Sequence, residues 1–540
     1  MQELELILIL LAVAAGLSIV ANRLSIPFPS LLVLGGLLLA LTPGLPYVEL
    51  DPDTVFLIFV PPLLYWAAFL TSYFHFRKNL FPILNLGIVL VLVTMCVVAW
   101  VAHAVIPELT WSSAFVLGAI VSGPDAVSVT AVTSHLPIRR TISVILDGES
   151  LINDATAFVA YRMAVTAVIV GGFSLQDAGI RFLWTAAGGT ILGLAIGWFI
   201  VWLRVHIRNA PFAESTVSLL TPYAAFIPAE HLGVSGVLAV VATGLYLSWK
   251  GPRIISARTR LQAAPTWQML NFLLEGLIFI IVGLELPVIR GSIIGYHLSV
   301  LILYTVIMSV TLILVRVVYM FLWACLTRLF GRLGLGKRGK YPPWRGILLL
   351  GWAGIRGGDS LVIALALPLL TQAGAPFPGR NLIIFLTFAI ILVTLVLQGF
   401  TLAPLIRRLK LHSGGEDRLE ESKARFEATN AALRLLDELA KKEWAPAKVV
   451  NDLRERFENR AELWGKNNQD ADSKHYTQDA IAYSRLFLQM VDAERTEIIK
   501  LRDEGEISDD VLRRIQHDLD LEETLVADSK VRIEADEHNV

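Results

Sequence analysis

The chain has 540 residues, 55% hydrophobic and only 17% charged, with mean hydropathy +0.61 and a formal charge of −1. A soluble protein of this length carries about 25% charged residues, so a soluble globular protein is excluded. The near-neutral total gives no reason to expect a nucleic-acid partner.

The charge is segregated. Up to Lys410 there are 16 acidic and 26 basic residues; from Leu411 to Val540 there are 31 and 20. Residues 1–410 are therefore expected to form a transmembrane domain, and 411–540 an acidic soluble tail. The N-terminus, Met1-Gln2-Glu3-Leu4-Glu5, is acidic where a signal peptide is basic. Residues 4–21 thus read as a retained first membrane helix. Further apolar runs long enough to span follow near 28–45, 53–72, 81–105, 112–132, 142–169, 180–203, 214–230, 232–249, 267–288, 296–325, 346–370 and 380–406. With the N-terminus outside, 20 basic residues fall in inner connections and three, Arg181, Arg290 and Arg380, outside. The positive-inside rule then supports thirteen helices and a cytoplasmic tail. Cys96 and Cys325 lie in apolar stretches, which argues against a disulfide framework or a cysteine metal site.

The 112–132 run contains Val121-Ser122-Gly123-Pro124-Asp125-Ala126-Val127-Ser128. Pro124 removes a backbone donor and disfavours helix at Gly123. Unwound backbone at membrane depth is tolerated where it lines a cavity or is buried in protein, and Asp125 at the break could bind a cation.

The 142–169 run contains Gly148-Glu149-Ser150-Leu151-Ile152-Asn153-Asp154. An ionised carboxylate at mid-membrane costs about 3 kcal/mol or more, so two such groups point to ion or proton handling. Four-residue spacing puts Glu149 with Asn153, and Ser150 with Asp154, on shared faces. Carboxylate, hydroxyl and amide oxygens are hard ligands suited to a small alkali cation. Removal from water disfavours the charged carboxylate, so proton and cation are expected to compete for Asp154. Glu149 is expected to pair with a buried arginine, with Arg162 and Arg356 as the choices. Arg316, near a helix end, could instead snorkel to the interface.

Ala229-Glu230-His231-Leu232-Gly233-Val234-Ser235-Gly236 joins two short runs, and Glu230 reads either as an ion-path residue or as part of a wet turn. Glu275 lies in 267–288 with an open role; Glu285, near the boundary, is expected to be solvated. Gly351-Trp352-Ala353-Gly354-Ile355-Arg356-Gly357-Gly358-Asp359-Ser360 makes an uninterrupted 346–370 helix implausible. Two interrupted helices of opposite direction, one in each half, point to an inverted-repeat secondary transporter with its site where the breaks cross. The tail has helical periodicity over 419–442, 447–464, 476–502 and 507–532. It has no Gly-rich phosphate loop, so no nucleotide site is expected, and an assembly or regulatory role is.

These motifs together resemble the monovalent cation:proton antiporters, the NhaP/NHE-type sodium/proton exchangers. The residues that carry the resemblance are Pro124-Asp125-Ala126-Val127, Gly148 to Ala155, Ala229-Glu230 with Ser235-Gly236, and Trp352 to Gly358. The resemblance covers about residues 1–410. It implies an all-α polytopic membrane protein with thirteen helices, inverted repeats and two crossed broken helices. It also implies a homodimer in a bacterial inner membrane that exchanges Na+ for H+ by alternating access, with no cofactor and no enzymatic activity. Asp154 would be the main ion- and proton-binding carboxylate, with Asp125, Ser150 and Asn153 nearby, and Asp154, Asp125 and Ser150 holding the monovalent cation. Glu149 would pair with Arg356; Gly123, Pro124, Gly354, Gly357 and Gly358 would form the breaks; Arg162 and Glu230 would be accessory. Pro124 stands where family members often have Thr, which removes a side-chain ligand. The Asn153–Asp154 pair resembles the electroneutral branch. Potassium/proton antiport is the nearest alternative. An intramembrane aspartyl protease lacks support, since no Tyr-Asp pair lies in an apolar run and Arg356 stands where its Gly-x-Gly-Asp motif needs Gly. A non-transporting sensor is the third reading.

Overall fold

A computed structural model describes residues 2–24, 27–42, 52–133, 138–171, 175–207, 210–293, 295–332, 344–409, 416–442, 444–466 and 473–504, with 506, 508, 510–512, 514–516 and 518–524. It divides into two units, Met1–Ser413 and Gly414–Val540. Among the described residues there is no strand, only an isolated bridge between Leu370 and Pro376.

The first unit runs α1 (Gln2–Leu24), α2 (Phe28–Ala40), α3 (Pro52–Leu70), α4 (Leu80–Val105), α5 (Trp111–Ser122), α6 (Ala126–Thr133) and α7 (Arg140–Val170). It continues with α8 (Leu175–His206), α9 (Pro211–His231), α10 (Gly236–Ile254), α11 (Ala257–Leu284), α12 (Leu298–Arg332), α13 (Trp344–Trp352), α14 (Gly358–Leu365) and α15 (Arg380–Leu409). Short helices Tyr73–Lys78 and Leu286–Ser292 connect longer ones. Among the described residues, stretches of α4, α8, α11, α12 and α15 are long and apolar enough to cross a membrane, and four shorter apolar helices accompany them. The chain is an integral membrane protein.

Burial separates centre from periphery. The most apolar window of α15 is 67% buried inside the protein, that of α8 only 22%. On α8, Leu183, Trp184, Ile191 and Trp198 are exposed. An apolar helix with so little protein cover needs lipid around it.

Where the sequence weakens the helix, the helix stops. α5 ends at Ser122, and Gly123 turns to extended backbone (φ −79°, ψ 123°) just before Pro124. α13 ends at Trp352, and residues 353–357 are irregular until α14 begins. The expected 346–370 span is thus two short helices, and it stops at Leu365, shortly before Pro368. α11 starts at Ala257, earlier than its apolar run, because Ser256 caps it by accepting from Thr259 N at 3.2 Å. α4 contains a π turn over Asn85–Leu90. There Gly87 lies so close to α7 that a Cβ would overlap the Ile152 side chain. The end of the expected 28–45 span lies outside the described residues.

In the second unit, α16 (Glu416–Leu439) packs on α17 (Ala447–Lys466), followed by α18 (Ser473–Asp503). Ser422 Oγ donates to Trp464 O at 2.7 Å, and the Arg425 guanidinium sits over the Trp464 ring. Arg495 bridges Asp520 and Glu523 at 2.6 Å each. The expected 507–532 helix falls partly outside the described residues.

Candidate ion site

The two breaks meet. A broken helix leaves backbone donors and acceptors without intrahelical partners, and here each break satisfies the other. Asp125 N donates to Ile355 O at 2.8 Å, and Ser360 Oγ donates to Ile120 O at 3.0 Å. α7 completes the junction: Asn153 Nδ2 donates to Pro124 O at 2.9 Å. Arg356 N donates to Thr394 Oγ1 on α15 at 3.1 Å.

A cavity of ≈ 30 Å³ lies between them. Its polar lining comes from Asp154 on α7, Asp125 at the first break, and Gly357, Asp359 and Ser360 at the second. Phe56, Phe158 and Ile363 are among its apolar walls. No basic side chain is among its lining residues. Asp125 is buried, and its Oδ2 accepts from Ser128 N at 3.1 Å and Ser128 Oγ at 2.5 Å. Asn153 is fully buried and its Oδ1 has no partner among the described residues. The described residues contain no cluster of three or more His, Cys, Asp or Glu side chains gathered to hold a metal.

The predicted residues fall into two groups. Asp154, Asp125, Gly123, Pro124 and Gly357 line the cavity. Ser150 instead lines a smaller neighbouring cavity with Asp125, Pro124, Asp147, Glu149 and Arg316. Asp359 and Ser128 were not among the expected ligands. Asp359 directly follows the glycine run, and that acidic residue at the end of a break was the available signal.

The expected Glu149–Arg356 pair is corrected. Glu149 is held by Arg316 of α12, Nη1 to Oε1 at 2.5 Å and Nη2 to Oε2 at 2.9 Å, with both side chains buried. Arg316 Nε also donates to Leu350 O at 3.0 Å. The physical reason is the α13 break. The N–H of Gly354, which in a continuous helix would reach Leu350 O, turns to Trp352 O at 2.8 Å, which frees that carbonyl. Gly354 also has no side chain: a Cβ there would overlap Arg316 Cδ. The guanidinium passes through the gap and forks onto Glu149. Arg316 therefore does not snorkel. Arg356 is buried as well, and among the described residues its Nε and Nη1 have no hydrogen-bond partner.

A sodium/hydrogen exchanger transmembrane family model matches residues 7–408. The chain belongs to the sodium/hydrogen exchanger family. It is a transporter of the cation/proton antiport class, not an enzyme. An uncharacterised Na+/H+ exchanger of Mycobacterium tuberculosis is 36% identical over 521 residues, 96% of this chain and 95% of its own. A sodium, potassium, lithium and rubidium/H+ antiporter of Bacillus subtilis is 32% identical over 416 residues, 74% of this chain and 61% of its own. The solved sodium proton antiporter MjNhaP1 of Methanocaldococcus jannaschii has the same fold, with TM-score 0.60 and 20% identity over 76% of this chain and 99% of that one.

Two further contacts of the exchanger carry predictions. Glu230 Oε2 pairs with Arg162 at 2.5 Å while its Oε1 accepts from Gly236 N at 3.1 Å, tying α7 to the α9–α10 turn. Arg162 also lies over the Phe158 ring. The pair is solvent-exposed, 48% and 20% for the two side chains, so it contributes less than about 1 kcal/mol. Glu230→Gln keeps an acceptor for Gly236 and is expected to leave the exchange rate within about twofold of wild type; a larger loss would assign Glu230 to the ion path. Gly357 presents the opposite case. Its backbone (φ −106°, ψ −177°) suits any residue, but a Cβ would overlap the Asp125 carboxylate. Overpacking of this kind costs about 1–3 kcal/mol. Gly357→Ala should therefore displace Asp125 and lower exchange more than about tenfold, read as cation-dependent proton flux.

Proposed function

We propose that the exchanger moves sodium, and lithium, out across the inner membrane in exchange for protons. Exchange runs by alternating access around one site in which cation and proton compete for Asp154. The observation that carries this is the cavity between the breaks, with three acidic side chains and no base among its lining residues. Like charges in a small buried space cannot all stay ionised without a counter-charge. The cavity therefore needs either protons or a cation, and the entry of one favours the release of the other.

In this reading the two interrupted helices are the crossed pair of an inverted-repeat transporter. The reading takes each interrupted pair among the described residues as one span of thirteen and puts the N-terminus outside, with residues 411–540 in the cytoplasm as a regulatory or assembly domain. The protein forms a homodimer, as the resemblance implies. The Asn153–Asp154 pair favours electroneutral exchange. A second reading, potassium/proton antiport, is favoured by the Bacillus relative, whose name includes potassium.

The test is collapse of a pH gradient in proteoliposomes on addition of sodium, lithium or potassium. Responses to sodium and lithium, and none to potassium, support the proposal. A potassium response as large as that to sodium selects the second reading. No response to any cation, in correctly oriented protein, overturns both.

A further inference from the structure

The reading above counts Asp359 only as one of three acidic side chains around the cavity, yet its position is closely fixed. It lies in the first turn of α14, between two contacts that bind the second break to the first. On one side, Gly357 packs against the Asp125 carboxylate so closely that no side chain fits. On the other, Ser360 Oγ donates to Ile120 O of α5 at 3.0 Å. Held between these contacts, Asp359 lines the same cavity as Asp154 and Asp125.

Each part of the junction thus supplies one carboxylate: Asp154 from α7, Asp125 from the first break, Asp359 from the second. Two of Asp125's hydrogen-bonding positions are already taken by Ser128. The nearby Arg316 charge is committed to Glu149. A cation that sheds its water in this cavity therefore meets Asp154 on one wall and Asp359 on another. Asn153 Oδ1, fully buried and without a partner, is a further oxygen beside the first break. Carboxylate ligands on separate elements also let a rearrangement of the breaks change the cation's surroundings without either helix dissolving.

We propose that Asp359 is a second cation-binding carboxylate of the exchange site, supplied by the second broken helix. This rests on the reading of the Asp154 cavity as the exchange site. With a ligand from each broken half, site affinity depends on how the two breaks sit against each other, which is what an alternating-access carrier needs to vary.

The test reads binding directly, apart from turnover. Purified full-length wild type, Asp359→Asn and Asp154→Asn are titrated with sodium chloride against choline chloride, and the sodium concentration giving half-maximal thermal stabilisation is measured. A charged ligand contact corresponds to roughly a tenfold change or more in a binding midpoint. Asp359→Asn should therefore raise the sodium midpoint at least about tenfold, with Asp154→Asn showing no response. An unchanged midpoint in Asp359→Asn, with the response lost in Asp154→Asn, overturns the assignment of Asp359 and leaves the Asp154 site standing. No sodium response in wild type overturns the site reading and this inference with it. Because a cation midpoint is read, a lowered baseline stability in the Asn variant does not obscure the result.

Discussion

Sodium added to proteoliposomes carrying Asp154→Asn is expected to move no protons above background, at any pH where wild type is active. Asparagine keeps the size and planarity of the side chain but holds neither a titratable proton nor a negative charge. Both halves of the cycle then fail together: the central proton carrier is gone, and the cation meets a neutral group on the α7 side of the cavity. The fold should survive. Gly123, Ala157 and Phe158 around the cavity are unaffected by the change, and keeping an ionised carboxylate out of water costs several kcal/mol. Removal of the charge is therefore expected to leave the thermal midpoint unchanged or to raise it. Loss of exchange with a lowered midpoint would indicate damage rather than loss of the ion-binding group. Sodium-dependent proton flux retained in the variant would remove Asp154 from the centre of the mechanism. Asp154→Glu serves as the companion, restoring the charge with a longer reach into a cavity of only ≈ 30 Å³; it should recover part of the flux with weaker sodium dependence.

The breaks were legible because their causes are local. Pro124 acts on the residue before it, and the glycine run from Gly351 to Gly358 weakens helix wherever it occurs. Where α5 and α13 stop therefore follows from a few adjacent residues. That the two breaks face each other was suggested by the transporter pattern. The bonds that join them, Asp125 N to Ile355 O and Ser360 Oγ to Ile120 O, link residues more than 200 positions apart.

The α7 stripe was legible as a face but not as a site. Ser150 and Asp154 share a side of the helix, yet four residues separate them by about 6 Å along its axis. That rise is enough to place Ser150 in the neighbouring cavity with Glu149 and Arg316. The partner of Glu149 was not legible at all. Arg356 looked right because it lies mid-run beside the glycines, and Arg316 looked like a snorkelling residue near a helix end. The choice depends on a missing Cβ at Gly354 and a carbonyl freed at Leu350, and neither marks an arginine site until α12 packs against the break. Asp359 was obscured differently. It ends a glycine-rich stretch with no helical face of its own until the backbone re-enters helix at Gly358.

Arg316→Met is expected to be the most damaging single change to stability, and Glu149→Gln the next. Removal of one member of a buried ion pair leaves the other charge without compensation and typically costs about 3–5 kcal/mol. In Arg316→Met the Glu149 carboxylate loses both guanidinium bonds, and Leu350 O loses its donor. In Glu149→Gln the Arg316 guanidinium is left in the same core as Arg356, whose own donors are already incompletely satisfied. Arg316→Lys should rescue little, because an ammonium cannot make the two-pronged contact with Glu149 and also reach Leu350 O. The double variant Glu149→Gln with Arg316→Met should recover much of the loss, since a buried ion pair replaced as a unit is often near neutral in stability. The coupling measured by the double-mutant cycle then isolates the pair itself. Arg356→Met separates the two possible partners. With Arg316 holding Glu149, it removes a buried guanidinium that makes no bond to that carboxylate, so its thermal midpoint should fall less than that of Arg316→Met. If Arg356→Met proves the more destabilising of the two, Arg356 is the true partner of Glu149 in the membrane, and α12 is not the helix that anchors α7.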